Sequence, residues 1–365
     1  MIQTVSNRIA VSKRTALRLA ALLLTGLLVA SATPAAAAPR NSFKLAWSIY
    51  TGYMPWAYAE QSGILKKWAD KYRIKIELVQ VNDYIESINQ YTAGQFDAVT
   101  ATTMDAFTIP AVGGVDTTVL ILGDYSNGND AIVLKGKGKT LKDLKGATVN
   151  LVQYSVSHYM LDRALSIAGL APSDVKVQNI SDADFLAAFK TPDVKAVAAW
   201  NPALAQIEEL PDISIVFQST QIPGELLDIA VANTAVLREN PDFGKAMVGA
   251  WFEALAAMRS ENSAARKFMA SASGTTLENF DAQVKTTRFY ADPGEAAAFM
   301  RTAEMAANMD RVRTFCFEQK LMGASATSKD AIGIELTGKT ILGDPANVKL
   351  RLDDSYMQLA ADGKL

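Results

Sequence analysis

The feature that most restricts the fold is a regular alternation of strand patterns and helix patterns, which starts soon after residue 40. Strand patterns cover Phe43–Trp47, Ile74–Val81 and Phe96–Ala101, and helix patterns cover the intervening Tyr53–Lys71 and Tyr84–Gly94. Strands that are separated by helices form parallel β-α-β units, in which helices cover both faces of an open sheet. The sequence therefore predicts an α/β fold.

A second alternating series, from about Ala131 to Gln218, has the size of one small α/β domain, and helix-rich sequence follows it. Two small sheets in tandem indicate two lobes, one inserted into the other. We assign residues 39–124 and 226–365, with a helical C-terminal part, to the first lobe and residues 125–225 to the second. Each lobe is expected to be an open sheet flanked by helices. A single larger α/β domain with a helical appendage remains the alternative.

The C-terminal part of the first lobe is rich in Ala, Leu, Met, Glu and Lys, which favour helices. Helices are predicted there at Phe243–Ser260, Ser263–Ser271, Leu277–Tyr290, Gly294–Met309 and Val312–Lys320.

The first 38 residues have the three-part pattern of a secretory signal peptide. Four basic residues and no acidic residue come before or at the start of an apolar run, Leu19–Ala30, and small residues follow up to Ala38. The apolar run is too short to span a bilayer as a stable anchor. We therefore predict export to the periplasm, and a membrane helix or a buried helix is the alternative.

Composition excludes several classes of protein. A single Cys and a single His rule out a disulfide framework and a zinc or iron–sulfur site built from several cysteines. Without residues 1–38 the chain keeps 32 basic and 38 acidic residues, a net charge of −6, which gives no support to nucleic-acid binding. No cofactor is expected.

Enzyme motifs are weak in this sequence. It has no phosphate-binding loop that ends in Gly-Lys-Ser/Thr and no Gly-x-Ser-x-Gly elbow. A nucleophilic pair of Cys316 and His158 remains conceivable, but Cys316 lies between two phenylalanines on a predicted helix, which favours a buried structural cysteine. The chain is therefore not expected to be an enzyme.

Several short segments together resemble a known family of proteins. They are Ser48–Ala59 (SIYTGYMPWAYA) with Gly63–Leu65 after it, Tyr91–Ala98 (YTAGQFDA), Thr140–Gly146 (TLKDLKG) and Ala198–Ala203 (AAWNPA). In this order they resemble the substrate-binding proteins of ABC transporters of the nitrate/sulfonate/taurine type, over nearly all of residues 43–320. The stretch Leu336–Pro345 (LTGKTILGDP) resembles a subgroup associated with urea carboxylase and guanidine carboxylase.

The resemblance implies a fold, a partner and a class of ligand. The fold is the two-lobed, type II fold of periplasmic binding proteins, which traps a small molecule between its lobes and delivers it to an ABC transporter permease. A monomer is expected, without a nucleic-acid partner. The subgroup implies guanidine or urea as the ligand. The alternatives are an aliphatic sulfonate or nitrate-type anion, or a pyrimidine precursor that is bound or formed on the same fold.

In open α/β sheets, ligands bind beyond the carboxyl ends of the strands, where loops converge. The first such loop is rich in aromatic residues, whose faces attract flat cations by about 0.5–2 kcal/mol each. Core packing is the alternative role for each ring, and Tyr154 and Trp200 of the second lobe are expected to face them. The aromatic candidates for ligand contact in the first loop are Trp47, Tyr50, Tyr53 and Trp56.

Acidic residues also fall in or beside the predicted cleft loops. Carboxylates form short, charge-assisted hydrogen bonds with a guanidinium group, although a helix cap, a turn or a solvated charge would equally explain these residues. No Arg or Lys lies in the loops Ser48–Trp56, Thr102–Asp105, Asp124–Asn129, Gln153–His158 and Trp200–Pro202, which favours a cationic or neutral ligand. The further candidates are Asp105, Asp124, Glu225 and Asp228, together with Thr103, Tyr125 and Ser155.

One feature favours an anion instead. Ser155 or Ser157 is a natural cap for a helix that begins in the second lobe, and free N–H groups at such a helix start bind anions. A cationic ligand would gain nothing from that end of the helix.

Overall fold

The computed structural model describes residues 40–324 and 326–365. The predicted signal peptide, residues 1–38, lies outside the described residues. Within them, no helix combines the length and the apolar character needed to cross a membrane.

The described residues form fourteen strands, numbered in chain order. They are β1 Ser42–Trp47, β2 Lys75–Gln80, β3 Ala98–Thr102, β4 Thr117–Ser126, β5 Asp130–Lys135, β6 Thr148–Leu151, β7 Lys176–Asn179, β8 Ala196–Trp200, β9 Ile213–Gln218, β10 Leu227–Asn233, β11 Thr287–Phe289, β12 Gly333–Glu335, β13 Ile341–Leu342 and β14 Val348–Leu352.

The same residues form fourteen α-helices. They are α1 Met54–Gln61, α2 Ile64–Lys71, α3 Tyr84–Thr92, α4 Thr103–Ala106, α5 Val156–Ala168, α6 Phe185–Lys190, α7 Ala203–Glu208, α8 Thr234–Glu239, α9 Pro241–Ala257, α10 Ala264–Ala272, α11 Leu277–Lys285, α12 Pro293–Met300, α13 Ala303–Glu318 and α14 Ser355–Ala361.

The strands make two separate sheets, so the predicted two-lobed α/β fold is confirmed. The first sheet has the order β13-β12-β14-β4-β10-β3-β1-β2, with β11 added beside β4, and the second has the order β7-β6-β8-β5-β9. The chain enters the second sheet between β4 and β5 and returns between β9 and β10. The assignment of 125–225 as a lobe that moves as a unit stays a prediction.

The antiparallel strands β4 and β10 lie at the centre of the first sheet. The chain leaves this sheet at the end of β4 and returns to it at the start of β10. Both strands are apolar and almost fully buried over most of their length. Their register places Asp228 directly opposite Asp124, close to the point where β4 leaves for the second lobe. The packing of the core therefore fixes two acidic side chains side by side near the cleft.

The predicted boundaries are wrong in the helical part of the first lobe. The helix predicted at Leu277–Tyr290 ends at Lys285, and β11 follows it because Thr287–Phe289 pair with the edge of β4. The break predicted after Met309 lies instead at Thr302, whose hydroxyl caps α13 by accepting a hydrogen bond from the backbone N–H of Met305.

The C-terminal segment also departs from the prediction of a helical C-terminal part. Strands β12, β13 and β14 extend the first sheet, and the segment Leu336–Pro345 lies among them. These strands are two to five residues long, which is too short for a clear alternating pattern in the sequence.

A close contact between α9 and α2 generates a prediction about stability. A methyl group added at Gly249 of α9 would lie 2.5 Å from the Trp68 ring on α2. We expect Gly249→Ala to lower the free energy of unfolding by about 1–3 kcal/mol, because overpacking forces the two helices apart. Urea unfolding measures the change.

The matched control carries Trp68→Ala as well. In that background the added methyl has room and Ala is the better helix former, so Gly249→Ala should cost nothing or stabilise by up to about 1 kcal/mol. An equal loss in both backgrounds would contradict the packing explanation.

Candidate functional site

The two lobes enclose a small cavity, which we call the front cavity. Its volume is about 30 Å³, which is room for roughly two water molecules. The first lobe contributes residues that follow β1, begin α3 and begin β10, and the second lobe contributes the start of β5 and the end of β8. The lining residues with the most distinctive chemistry are Tyr50, Tyr53, Tyr84, Asp130, Trp200 and Asp228.

A second, smaller cavity of about 10 Å³ lies in the first lobe, and we call it the rear cavity. It shares Tyr53 and Asp228 with the front cavity. Asp124 and Trp56 also line it, together with Trp251 of α9. The Asp228 side chain therefore stands between two spaces, one reaching both lobes and one inside the first.

Asp228 and Asp124 form a buried acidic pair. The Tyr53 hydroxyl donates a hydrogen bond of 2.6 Å to Asp228 Oδ1. Burial raises the pKa of Asp228 to about 8, and burial together with the negative charge of Asp228 raises the pKa of Asp124 well above its usual value. Two buried carboxylates on directly opposed strand residues cannot both ionise without a counter-charge. The pair therefore holds a proton or attracts a cation.

A third carboxyl comes from the second lobe. Asp130 is the first residue of β5 and lies opposite Trp200 in the pairing with β8. It is only 4% exposed, and burial raises its pKa to about 7. None of the described residues that line the front cavity is Lys, Arg or His, so its carboxyls have no basic partner inside the cavity.

Asp105 lies just behind the front cavity. Its carboxylate accepts hydrogen bonds from the hydroxyls of Tyr84 and Thr102, both at 2.8 Å. Burial raises the pKa of Asp105 to about 6, and these hydroxyls together with the backbone N–H of Val156 limit the rise. Val156 is the first residue of α5, so a carboxylate of the protein already interacts with the positive end of that helix.

Aromatic rings form much of the wall of the front cavity. Trp200 makes edge-on contacts with Phe185, at 4.8 Å between ring centroids, and with Tyr84, at 5.8 Å. Tyr50 and Tyr53 contact each other edge-on at 5.1 Å. Rings from both lobes thus border the space in which the carboxyls lie, an arrangement that suits a small, flat cation.

The structure brings six of the thirteen predicted site residues to the two cavities. Asp105 is one step behind, in contact with Tyr84 of the cavity wall. The six residues are Tyr50, Tyr53, Trp200 and Asp228 at the front cavity, and Trp56 and Asp124 at the rear cavity, which Tyr53 and Asp228 also line.

Three other predicted residues are buried or capping groups away from both cavities. Trp47 ends β1 and is buried in the core of the first lobe. Thr103 is buried with its hydroxyl 3.5 Å from Asn308 Oδ1. The Ser155 hydroxyl caps α5 by accepting a hydrogen bond from the Ser157 N–H. Ligand contact by these three stays a prediction that their positions do not support.

The last three predicted residues lie nearer the surface. Tyr125 is half-buried and packs against Tyr290, and Tyr154 is 43% exposed beside His158. Glu225 is engaged by Arg163, with contacts of 2.8 and 3.0 Å to its two carboxylate oxygens. Because Arg163 matches its charge, Glu225 has little left to offer a ligand.

The cavity-lining residues that sequence reasoning missed include Asp130, Tyr84, Thr100 and Trp251. Asp130 is the first residue of an otherwise apolar strand and directly follows Gly-Asn. A charged residue at the start of such a strand indicates a candidate site residue. Tyr84, Thr100 and Trp251 gave no signal, because each fits its own strand or helix as an ordinary core residue.

Among the described residues, no group of three or more His, Cys, Asp or Glu side chains has the arrangement needed to hold a metal ion.

Comparison with known proteins identifies the family. A family model described as NMT1/THI5 like matches residues 74–265, which is more than half of the chain. The chain belongs to the NMT1/THI5-like family. The taurine-binding periplasmic protein of Escherichia coli (strain K12) is 26% identical to this family member over 131 residues, 35% of this chain. The match spans only 40% of that relative's length.

Solved structures show the same fold for this NMT1/THI5-like protein. The alkanesulfonate-binding protein SsuA from Xanthomonas axonopodis pv. citri, bound to MOPS, has a TM-score of 0.66 at 16% identity, over 79% of this chain and 96% of that one. The periplasmic aliphatic sulphonate binding protein SsuA from Escherichia coli has a TM-score of 0.65 at 21% identity, with the same coverage. The fold is therefore that of periplasmic binding proteins. The urea carboxylase and guanidine carboxylase subgroup stays a prediction.

The raised pKa values generate a prediction about pH. The folded protein binds the protons of Asp130 and Asp228 more tightly than the unfolded chain, so the stabilisation they provide is complete below about pH 4 and is lost as the pH rises through 7 and 8. Without ligand, we expect the free energy of unfolding to fall by about 1 kcal/mol or more between pH 7 and 8.5. Urea unfolding at several pH values measures the fall.

Asp228→Asn is the matched variant, because Asn keeps an oxygen for the Tyr53 hydroxyl but has no proton to lose. The fall between pH 7 and 8.5 should be shallower in this variant. His158, whose pKa burial lowers to about 4, is neutral in the folded protein over this range. Parallel pH profiles for the two proteins would show that Asp228 does not titrate here.

Proposed function

We propose that this protein is the periplasmic, ligand-binding component of an ABC importer and that it captures a small nitrogen-rich cation of the guanidinium class. The observation that carries the proposal is the set of three buried carboxyls, Asp124, Asp130 and Asp228, around cavities whose described lining residues include no basic side chain. A flat cation would neutralise this charge and contact the aromatic walls with its faces.

Ligand size makes the charge important. A ligand of about four heavy atoms gains at most about 1.5 kcal/mol per atom, or about 6 kcal/mol in all. That limit corresponds to a dissociation constant of tens of micromolar. Such a small ligand must therefore form strong, charge-assisted hydrogen bonds with most of its donors. Guanidinium offers these bonds to the carboxyls, whereas neutral urea would bind more weakly in the same cavity.

The proposed mechanism is hinge closure of the two lobes around the ligand. The front cavity draws one carboxyl and aromatic rings from each lobe, so it is complete only when the lobes meet. A half-buried ion pair also joins them, because Glu225 contacts Arg163 on α5 of the second lobe and lies 3.6 Å from Arg311 on α13 of the first. The closed form would be the state that the permease recognises.

A second candidate ligand is an aliphatic sulfonate or taurine, as in the names of the relatives. The start of α5 favours it, since Val156 lines the front cavity with the positive end of a 13-residue helix. Asp105 already interacts with that N–H group, and Asp130 and Asp228 would repel a sulfonate once the pH is high enough to ionise them, near their pKa values of about 7 and about 8. The carboxyls therefore favour the cation.

A panel of compounds tests the proposal. Guanidinium chloride at millimolar concentration, at fixed ionic strength, should raise the Tm in proportion to the logarithm of its concentration above the dissociation constant, and urea should do so less. Taurine, an alkanesulfonate and nitrate should leave the Tm unchanged. Stabilisation by these anions, or by an aminopyrimidine, would replace the proposed ligand class, and chemical turnover of the ligand would overturn the transport function.

Asp228→Asn should weaken guanidinium binding about tenfold or more, because it removes a buried, charged acceptor. Isothermal titration calorimetry measures the loss. Glu225→Gln is the matched control, since it makes the same chemical change outside the cavities. Glu225→Gln should change the affinity for guanidinium and for urea by the same factor, and this factor should be smaller than the tenfold loss expected for Asp228→Asn. The preference for guanidinium over urea should therefore stay intact. Equal effects of the two variants on that preference would contradict a direct role for Asp228.

Trp200→Ala should also lower guanidinium affinity, by about threefold to thirtyfold for the loss of one cation–π wall. The circular dichroism spectrum should stay unchanged. Wild-type affinity in this variant would show that the ring only packs against Phe185.

A further inference from the structure

The rear cavity collects polar atoms that have no partner in the protein. Thr100 Oγ1 and Trp251 Nε1 are buried without a hydrogen bond, and the carboxylate oxygens of Asp124 have no partner besides the neighbouring Asp228 carboxyl. The three side chains come from β3, β4 and α9, and each residue is at most 2% exposed. All three residues line the same small space.

Buried polar atoms without partners are rare in folded proteins, because each loses its hydrogen bonds to water and gains nothing in return. Several of them around one cavity therefore indicate a place for a polar guest. The volume of about 10 Å³ fits one non-hydrogen atom with its hydrogens and nothing larger. Asp124 and Thr100 supply acceptors for an atom that carries N–H or O–H groups, whereas the Trp251 N–H is a donor that a cationic nitrogen would leave unpaired.

The rear cavity is also next to the ligand space. Asp228 and Tyr53 line both cavities, and the Tyr53 hydroxyl binds the Asp228 carboxylate between them. A group that binds Asp228 from the front cavity is therefore adjacent to Asp124 in the rear cavity, since Asp228 and Asp124 are cross-strand partners.

We propose that the rear cavity is a subsite that receives one N–H-bearing nitrogen of the ligand, with Asp124 and Thr100 as its acceptors. This inference rests on the proposed capture of a cation in the front cavity. It narrows the ligand to planar cations with donors on at least two arms, amidinium or guanidinium ions, so that one arm stays in the front cavity while another displaces the contact between Tyr53 and Asp228 and enters the rear cavity. A primary ammonium ion carries all its donors on a single atom and fills only one of the two spaces.

Thr100→Val separates the subsite from a structural role, because it keeps the shape of the side chain and removes only the hydroxyl. Since that hydroxyl has no partner within the protein, we expect the Tm without ligand to stay equal or rise. The affinities for guanidinium and acetamidinium, measured by calorimetry at fixed ionic strength, should fall at least fivefold, while the affinity for methylammonium should not change.

Thr100→Ser is the matched control, because it keeps the hydroxyl and loses the methyl group. Its affinity for guanidinium should stay within about twofold of that of the unaltered protein, even if its Tm is lower. Asp124→Asn provides an independent measurement at the same subsite and should weaken guanidinium and acetamidinium about tenfold, and methylammonium by a smaller factor, because the variant also changes the charge beside Asp228.

The outcomes distinguish the inference from the proposed function. If the unaltered protein binds guanidinium and Thr100→Val binds it equally well, the subsite is overturned and the rear cavity holds a buried water alone, with the proposed function intact. If the unaltered protein binds methylammonium as tightly as guanidinium, the proposed subsite is overturned as well. If the unaltered protein binds none of these cations, both the proposed function and the subsite fail.

Discussion

The cleft depends on one unfavourable contact, the burial of two aspartates opposite each other. Asp124 and Asp228 face each other on adjacent antiparallel strands inside the first lobe. Buried like charges repel strongly, so the pair is stable only while it holds a proton or a cation. The ladder of β4 and β10 fixes this arrangement, and its stability comes from the apolar residues along both strands. The apolar core thus holds two carboxyls in positions where they need a proton or a cation, and the cavities beside them are where a cation could bind.

The second lobe also contributes a carboxyl and an aromatic ring to the front cavity. Asp130 and Trp200 are paired on β5 and β8, so a carboxyl and a flat ring arrive together at the front cavity. The first lobe presents the same two kinds of group in Asp228 and Tyr53. Because charge and aromatic surface come from both sides, a bound cation would attract each lobe toward the other, and its binding energy would favour the closed form.

The sequence predicts those parts of the molecule that depend on local patterns. Alternating strands and helices give the two-lobed fold, and the acidic residues beside the ends of β4 and β10 include Asp124 and Asp228, which line the cavities. Features that depend on distant contacts escape such reasoning. The three-residue strand β11 exists only because the edge of β4 is beside it. Trp251 cannot be distinguished in the sequence, because it is one apolar residue in an apolar helix. Glu225 forms its ion pair with Arg163, which is 62 residues away in the chain, and the sequence does not show this pairing.

The contact between Asp105 and the first turn of α5 has a consequence for the medium in which such a protein works. The start of a helix attracts dissolved anions, and chloride, sulfate and phosphate are all candidates to occupy an open one. In this chain an internal carboxylate, that of Asp105, lies close enough to the N–H group of Val156 for this N–H to lower the pKa of Asp105. Because a fixed negative charge at this position competes with dissolved anions, we expect common salts to affect the cleft mainly through general screening of charge.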